Sequence, residues 1–343
     1  MLDIDGSHGE GGGQLLRTAV ALAALTGTPL RFRAIRAKRD EPGLAPQHLA
    51  AVHAVAVLCG ARVDGLALRS QEIVFAPSSL RGGEFAFDVG TAGSVTLVLQ
   101  ALLPVMVAAR TSFRIRVTGG TDIRGAPPLD YLREVVLALI SRMGVHARLV
   151  TRRRGYYPRG GGVVEVSLNP SRLRPLCLEA VGQSLQIGGL AHIAHLPMHI
   201  AERMGAAALK RLGPRDVPVR CETAIVADEE AIGQGGAVVM WAQFEHTVVG
   251  AGRVAERGVR AETLGEAVGS ELAADLAAHA TIDVHAADQI LVYLALAGGE
   301  SSFTTREFTS HARTAMWLIE QFLPVRFTTS PQGALTRIAV APR

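Results

Sequence analysis

The chain carries one hydrophobic pattern more than once. In "GEGGGQLLRTAVALAALTGTPLRFRAI", from Gly9, a Gly-rich turn opens onto apolar residues at helical spacing, and an Arg-studded stretch of period two follows. The same order returns in "VGTAGSVTLVLQALLPVMVAARTSFRIRV", from Val89. Each strand then leads through a polar loop, "RAKRDEPGLAP" or "TGGTDIRGAPP", into a second helical run, "QHLAAVHAVAVLCGARVDG" or "LDYLREVVLALISRMGVHARLV". Two copies of one unit, a pair of helices on a small sheet, account for this order.

A third copy is expected from Ala286, where "AADQILVYLALAGGESSFTT" and "SHARTAMWLIEQFLPVRFTT" again give two helices, each running into a strand rich in Phe and Thr. Between the second and third copies, residues 182–278 fit no repeat. They predict a strand near "LQIGGLAHIAHL", a helix "AERMGAAALKRLG", strands at "VRCETAIVAD" and "AVVMWAQF", and a helix "AETLGEAVGSELAADLAAH". The expected fold is therefore α/β, of the α+β kind. A discontinuous body of three repeats covers 1–181 and 279–343, and a smaller inserted α/β domain covers 182–278.

At 343 residues and 48% hydrophobic, the chain can build a sizeable core. Its net charge of +4 rests on arginine, since Lys38 and Lys210 are the only lysines. The planar fork of arginine suits phosphates and nucleic acid, while a genome rich in Arg and Ala codons explains a bulk excess equally well. Cys59, Cys177 and Cys221 stand apart without a C-x-x-C pair, which argues against a structural zinc site or a disulfide framework. The acidic start "MLDIDGSHGEGGG" lacks the basic and apolar segments of a secretory signal, and no apolar run reaches the length of a membrane span. A soluble cytoplasmic protein without a membrane partner is expected. The bare loop around Glu10 would admit a phosphate to helix N–H groups, and plain turn geometry explains it as well.

Seven phrases carry a resemblance that spans essentially the whole chain: "DGSHGEGGGQLLRTAVALAALTG", "RAKRDEPGLAPQHLAAV", "GTAGSVTLVLQALLP", "GGTDIRGAPPLDYL", "GYYPRGGG", "AADQILVYLALAG" and "SHARTAMWLIEQFLPVRF". In this order and spacing the sequence resembles the RNA 3′-terminal phosphate cyclases. The resemblance implies three repeats of a two-helix, four-stranded unit related to the domains of enolpyruvyl transferases, plus a smaller insert. It also implies a ligase-type enzyme that uses ATP and a divalent metal, Mg or Mn, on RNA with a 3′-phosphate end, converting that end to a 2′,3′-cyclic phosphate. In such enzymes a histidine attacks the α-phosphate of ATP, the adenylate moves to the RNA 3′-phosphate, and the neighbouring 2′-hydroxyl displaces AMP.

The residues are compatible with that chemistry. Neither lysine sits in a K-x-D-G setting, and there is no G-x-x-x-x-G-K-[ST] loop. By the resemblance the nucleophile is His311, in "TSHARTA", at the first turn of a helix capped by Thr309 or Ser310, where the dipole suits an anionic adenylate. The metal-binding acid is Glu10, and a lone carboxylate is enough for magnesium, which keeps several waters. Arg17 matches a triphosphate contact, and Arg36 and Arg39 match a basic loop on the leaving pyrophosphate. Base and ribose contacts fall on Gln100, Pro127, His285, Ala286, Ala287, Asp288 and Gln289. Many family members carry an adenine-stacking tyrosine where this chain has His285, and an imidazole offers less stacking area. Asp288 and Gln289 also suit an ordinary helix start, and Gln47 and His48 suit either the cleft or a cap.

For RNA, the run "RRRGYYPRGGG", Arg152 to Gly162, combines arginines and tyrosines as a backbone-tracking groove would, with a solvated hairpin as an equal rival. His192, His195 and His199 have no carboxylate pair at ligand spacing and read as structural or surface residues. Two other functions stay open. One is a non-catalytic assembly factor of the same family, against which His311, Glu10 and Arg39 count. The other is a carboxyvinyl transferase of the related fold, which forms no covalent nucleotide. Stacked repeats are compatible with a homodimer, although no residue marks its interface.

Overall fold

The computed structural model describes residues 1–90 and 92–343; Thr91, in the second Gly-rich turn, lies outside the described residues. The first unit runs β1 (Leu2–Asp5), α1 (Gly13–Thr26), β2 (Leu30–Arg33), α2 (Pro46–Cys59), β3 (Arg62–Asp64) and β4 (Ile73–Ala76). Its sheet has the order β1-β2-β4-β3, with β1 parallel to β2 and the other pairs antiparallel. The second unit runs β5 (Gly83–Asp88), α3 (Val95–Ala108), β6 (Phe113–Gly119), a segmented helix, β7 (Ala147–Gly155) and β8 (Gly162–Leu168). That helix consists of α4 (Leu129–Tyr131), a π turn (Leu132–Val136) and α5 (Leu137–Arg142). The sheet order β5-β6-β8-β7 and its pairing senses repeat those of the first unit.

Next come β9 (Ser184–Ala194), α6 (His199–Leu212), β10 (Val219–Val226), β11 (Ala231–Ile232), β12 (Gly235–Phe244), β13 (Val248–Val254) and α7 (Ala261–Ala277). Strands β10-β9-β12-β13 form a separate sheet, on which α6 and α7 pack together around their own hydrophobic cluster. The short β11 leaves this sheet and pairs with β7, Ala231 opposite Arg154, so the segment is stitched to the second unit.

The chain then gives α8 (Val284–Leu296), β14 (Ser301–Thr305), α9 (Ser310–Phe322), β15 (Val325–Gln332) and β16 (Leu335–Pro342), with sheet order β14-β16-β15. The first strand of this third unit lies far upstream of Ala286. Cys177 bridges Ser302 in parallel, Leu178 N–H donates to Ser302 O (2.7 Å) and Ser302 N–H donates to Leu176 O (3.0 Å). Residues 176–178 thus take the place of β1 and β5. One bridge over so few residues leaves no period-two pattern to read.

A continuous core runs through the three units. Helix α3 packs against α1, α2 and α8, and its side chains are apolar almost all round, as a central helix requires. Helix α9 packs on α1 and α8. No helix among the described residues is long and apolar enough to cross a membrane.

Candidate active site

The first turns of α1, α3, α8 and α9 converge on a cleft of about 370 Å³. It is lined by Gln14 and Arg17 of α1, Gln100 of α3, His285, Asp288 and Gln289 of α8, and His311 of α9. Pro127 and Arg253 close its other side.

His311 stands just inside α9, whose cap is Thr309; the Thr309 Oγ1 accepts from Ala312 N–H at 3.1 Å. Its Nδ1 lies 2.5 Å from Gln14 Oε1 and 3.6 Å from Glu10 Oε2. Gln14 Nε2 in turn donates to Asp288 Oδ2 at 2.6 Å. A carboxylate only accepts, so the amide turns its NH₂ to Asp288 and its oxygen to the ring. Nδ1 therefore donates to this oxygen, and Nε2 has no hydrogen-bond partner among the described residues, so in the neutral ring it is Nε2 that carries the lone pair. Burial raises the Asp288 carboxyl above the usual range, opposed by His311 and by the Gln14 amide. Asp288 is not the cap of α8. Asp283 fills that role, accepting from His285 N–H (3.0 Å) and Ala286 N–H (2.9 Å), which leaves Asp288 for the cleft.

Arg17 is 7% exposed, makes no ion pair among the described residues, and has an Nε without any partner. Its Nη2 donates to Gln100 Oε1 at 3.3 Å, and Gln100 Nε2 donates to Gln289 Oε1 at 2.8 Å. Gln100 and Gln289 stand equally far beyond the caps Ser94 and Asp283, so corresponding positions of two repeats meet here. Burial lowers the Arg17 pKa to about 10, with Asp288 opposing, and the guanidinium stays charged at neutral pH. A buried cation without a counter-ion is costly unless an anion is meant to arrive.

Glu10 lies in the loop before α1 and pairs with Arg39, while Lys38 Nζ donates to Gly9 O at 3.1 Å. The loop is fastened to α9: Glu10 N–H donates to Thr314 Oγ1 at 3.3 Å, and His8 stacks on Trp317 with ring centroids 3.7 Å apart. Gly9 has φ +57°, and a Cβ there would collide with Thr314 Oγ1. Arg36 donates to Gly43 O at 2.9 Å and does not line the cleft. Ala286 and Ala287 are fully buried in the core and give the cleft no side chain. His48 is a capping residue: its Nδ1 accepts from Ala45 N–H at 3.3 Å. Burial, then Arg17 and Arg36, push its pKa down to about 3, so it is neutral. His285 Nε2 meets Glu271 Oε1 of α7 at 3.4 Å, and this carboxylate raises the imidazole pKa. Arg253 Nη2 donates to the same oxygen at 2.6 Å.

Sequence reasoning passed over Gln14, although its i,i+3 relation to Arg17 puts both on one face of α1. It gave no hint of Glu271 and Arg253, which tertiary packing alone brings to the cleft. Packing also supplies His192 with the carboxylates the sequence lacked nearby. Asp122, Asp130 and His192 form the one set among the described residues close enough to hold a metal. Arg154 donates to Asp122 (3.1 Å) and Asp130 (2.8 Å), so a guanidinium fills that place.

A family model described as RNA 3′-terminal phosphate cyclase matches residues 8–329. A protein of that name from Nitrosospira multiformis is 54% identical over 343 residues, covering 100% of this chain and 97% of its own. The namesakes from Pyrobaculum neutrophilum and Archaeoglobus fulgidus are 43% and 41% identical, covering 96% and 94% of this chain and 95% and 96% of their own. Among solved structures, the enolpyruvyl transferase NikO from Streptomyces tendae overlaps all of this chain and 48% of its own at a TM-score of 0.40 and 13% identity. The chain belongs to the RNA 3′-terminal phosphate cyclase family.

Proposed function

We propose that the protein converts an RNA 3′-terminal phosphate to a 2′,3′-cyclic phosphodiester at the expense of ATP. The observation that carries this reading is Nε2 of His311, left without a hydrogen-bond partner among the described residues by the Gln14 contact at Nδ1, in a cleft whose buried Arg17 makes no ion pair among those residues. Nε2 attacks the α-phosphorus, the bond to the bridging oxygen of the β-phosphate breaks, and pyrophosphate leaves. An oxygen of the RNA 3′-phosphate then displaces the imidazole, giving an RNA adenylate. The 2′-oxygen closes the ring, expelling AMP and losing its proton. Arg17 and Arg39 would hold the phosphates, and Gln100, Pro127, His285, Asp288 and Gln289 the nucleoside.

Glu10 offers one hard carboxylate next to His311, which fits Mg or Mn, ions that take their other ligands from water and phosphate. Such an ion, when bound, would neutralise phosphate charge. In this reading the body is 1–181 with 279–343 and the insert is 182–278; a second hydrophobic cluster whose buried residues all fall in 182–278 supports the division, while Val239 and Val248 join the main core. Three free cysteines suit a reducing cytoplasm. The test is labelling with α-labelled ATP and Mg or Mn, without RNA. Acid-labile label on the denatured chain, absent from His311→Ala, is the expected result. No label on a folded protein that binds ATP would overturn the reading.

A further inference from the structure

Beside the nucleotide cleft lies a larger groove of about 1430 Å³ that no part of the proposed chemistry uses. The two share Arg124, Val254 and Glu256 in their walls, so one opens into the other. The floor is apolar, formed by Leu196, Ile200, Met204 and Leu264. Along the rim stand Tyr157 and Arg159, in the turn between β7 and β8, and Arg257, just after β13. Tyr157 is 74% exposed. Arg159 and Arg257 are exposed and make no ion pair or hydrogen bond among the described residues. Their neighbours are engaged: Arg116 and Arg152 bond Glu165, Arg253 bonds Glu271, and Arg154 bonds Asp122 and Asp130.

The walls are fixed to one another. Arg154 is anchored on the two aspartates, Asp130 Oδ2 lies 3.3 Å from His192 Nε2 on β9, and His192 Nδ1 lies 3.2 Å from Tyr156 OH. The turn is thereby tied to the insert across the groove, as is β7 by its pairing with β11.

We propose that this groove holds the single-stranded RNA leading up to the 3′ end, its bases on the apolar floor and against Tyr157, its phosphates on Arg159 and Arg257. The inference rests on the cyclase reading for the identity of the strand. An aromatic platform, unpaired arginines and an apolar floor are the elements of sequence-tolerant single-strand binding, and the continuity with the cleft gives the terminal phosphate a route to His311.

The test is binding, by fluorescence anisotropy, of a labelled single-stranded oligoribonucleotide with a 3′-phosphate, which requires no turnover. Arg159→Ala with Arg257→Ala should weaken it and flatten the log–log salt dependence by about 0.7 per lost phosphate contact. Tyr157→Ala should weaken it about tenfold. A dinucleotide ending in a 3′-phosphate, too short to enter the groove, should bind wild type and variants alike, and ATP labelling of His311 should be unchanged. Equal affinity of the long strand for wild type and all variants would overturn the proposal. So would no binding to wild type, or capture of a phosphopeptide in place of RNA. Weakened strand binding together with no labelling of wild type by ATP would leave the groove standing and defeat the cyclase reading instead.

Discussion

His311 and Gln14 meet Nδ1 to Oε1 at 2.5 Å, and in the proposed reaction this contact decides which ring nitrogen attacks. Asp288 fixes the amide from behind, so the three residues form a line from buried carboxylate to free lone pair. In the proposed attack on phosphorus the arrangement would do what an aspartate behind a histidine does for a general base, holding the ring in one tautomer and one orientation. Gln14→Ala should therefore slow adenylylation by about 10²-fold with little change in ATP affinity, since a misoriented nucleophile acts on the chemical step. Gln14→Glu keeps an acceptor for Nδ1–H but sets two carboxylates face to face, so its labelling rate should recover as pH falls and one of them takes a proton. Single-turnover labelling across pH checks both. A Gln14→Ala rate equal to wild type would remove the residue from the mechanism.

In the proposed nucleotide site Arg17 exchanges stability for binding. Replacing a buried, unpaired guanidinium with an apolar chain of similar length is often neutral or stabilising. Arg17→Met should leave the ligand-free Tm at least as high as wild type, while the Tm rise produced by saturating ATP disappears. Paired melts with and without ATP check this. A ligand-free Tm falling by about 5 °C or more would mark Arg17 as structural instead.

Much of this arrangement was legible in the chain, for physical reasons. The Gly-rich turns, the helices of period 3.6 and the alternating strands are local signals, and they placed the first two units correctly. The first strand of the third unit, around Cys177, was not legible because it is one bridge long and leaves no pattern. At the site, Glu10, Arg17, Gln100, Asp288 and His311 gather around one cleft or beside it, although they come from four separate stretches. Ala286 and Ala287 do not share it, because a motif gives positions along the chain while helix phase decides which side chains point inward, and Arg36, in the turn after β2, bonds Gly43 O instead. Arg253 comes from β13 and Glu271 from α7, and no local rule could link them to α8.

Gly9 tests whether the loop must sit against α9. A side chain there meets both a positive φ and the Thr314 hydroxyl, so Gly9→Ala should displace Glu10 from the neighbourhood of His311. The strain alone is worth about 1–2 kcal/mol, and metal-dependent labelling should fall by about tenfold or more as the acid moves away. Thr314→Ser, which keeps the hydroxyl that accepts from Glu10 N–H, should label nearly as wild type, and Thr314→Val should not. Equal rates for the two Thr314 variants would show that the hydroxyl does not hold the loop.

Asp275 gives the fold a pH dependence near neutrality. It lies on α7 and accepts from Arg306 Nε at 3.0 Å, ahead of the helix that carries His311. Burial, reinforced by the charge of Asp283, raises its pKa from 3.8 to about 7. A carboxyl with a raised folded pKa binds its proton more tightly in the native state, so its contribution is fully favourable below the ordinary value and is lost as pH rises through about 7. The loss is on the order of a few kcal/mol. Asp275→Asn keeps an oxygen for Arg306 but cannot ionise. Its Tm relative to wild type should therefore climb between pH 5 and pH 8 and level off above that. A Tm difference that stays constant over this range would mean that Asp275 ionises in the fold as easily as in the unfolded chain, and that its pairing with Arg306 outweighs its burial.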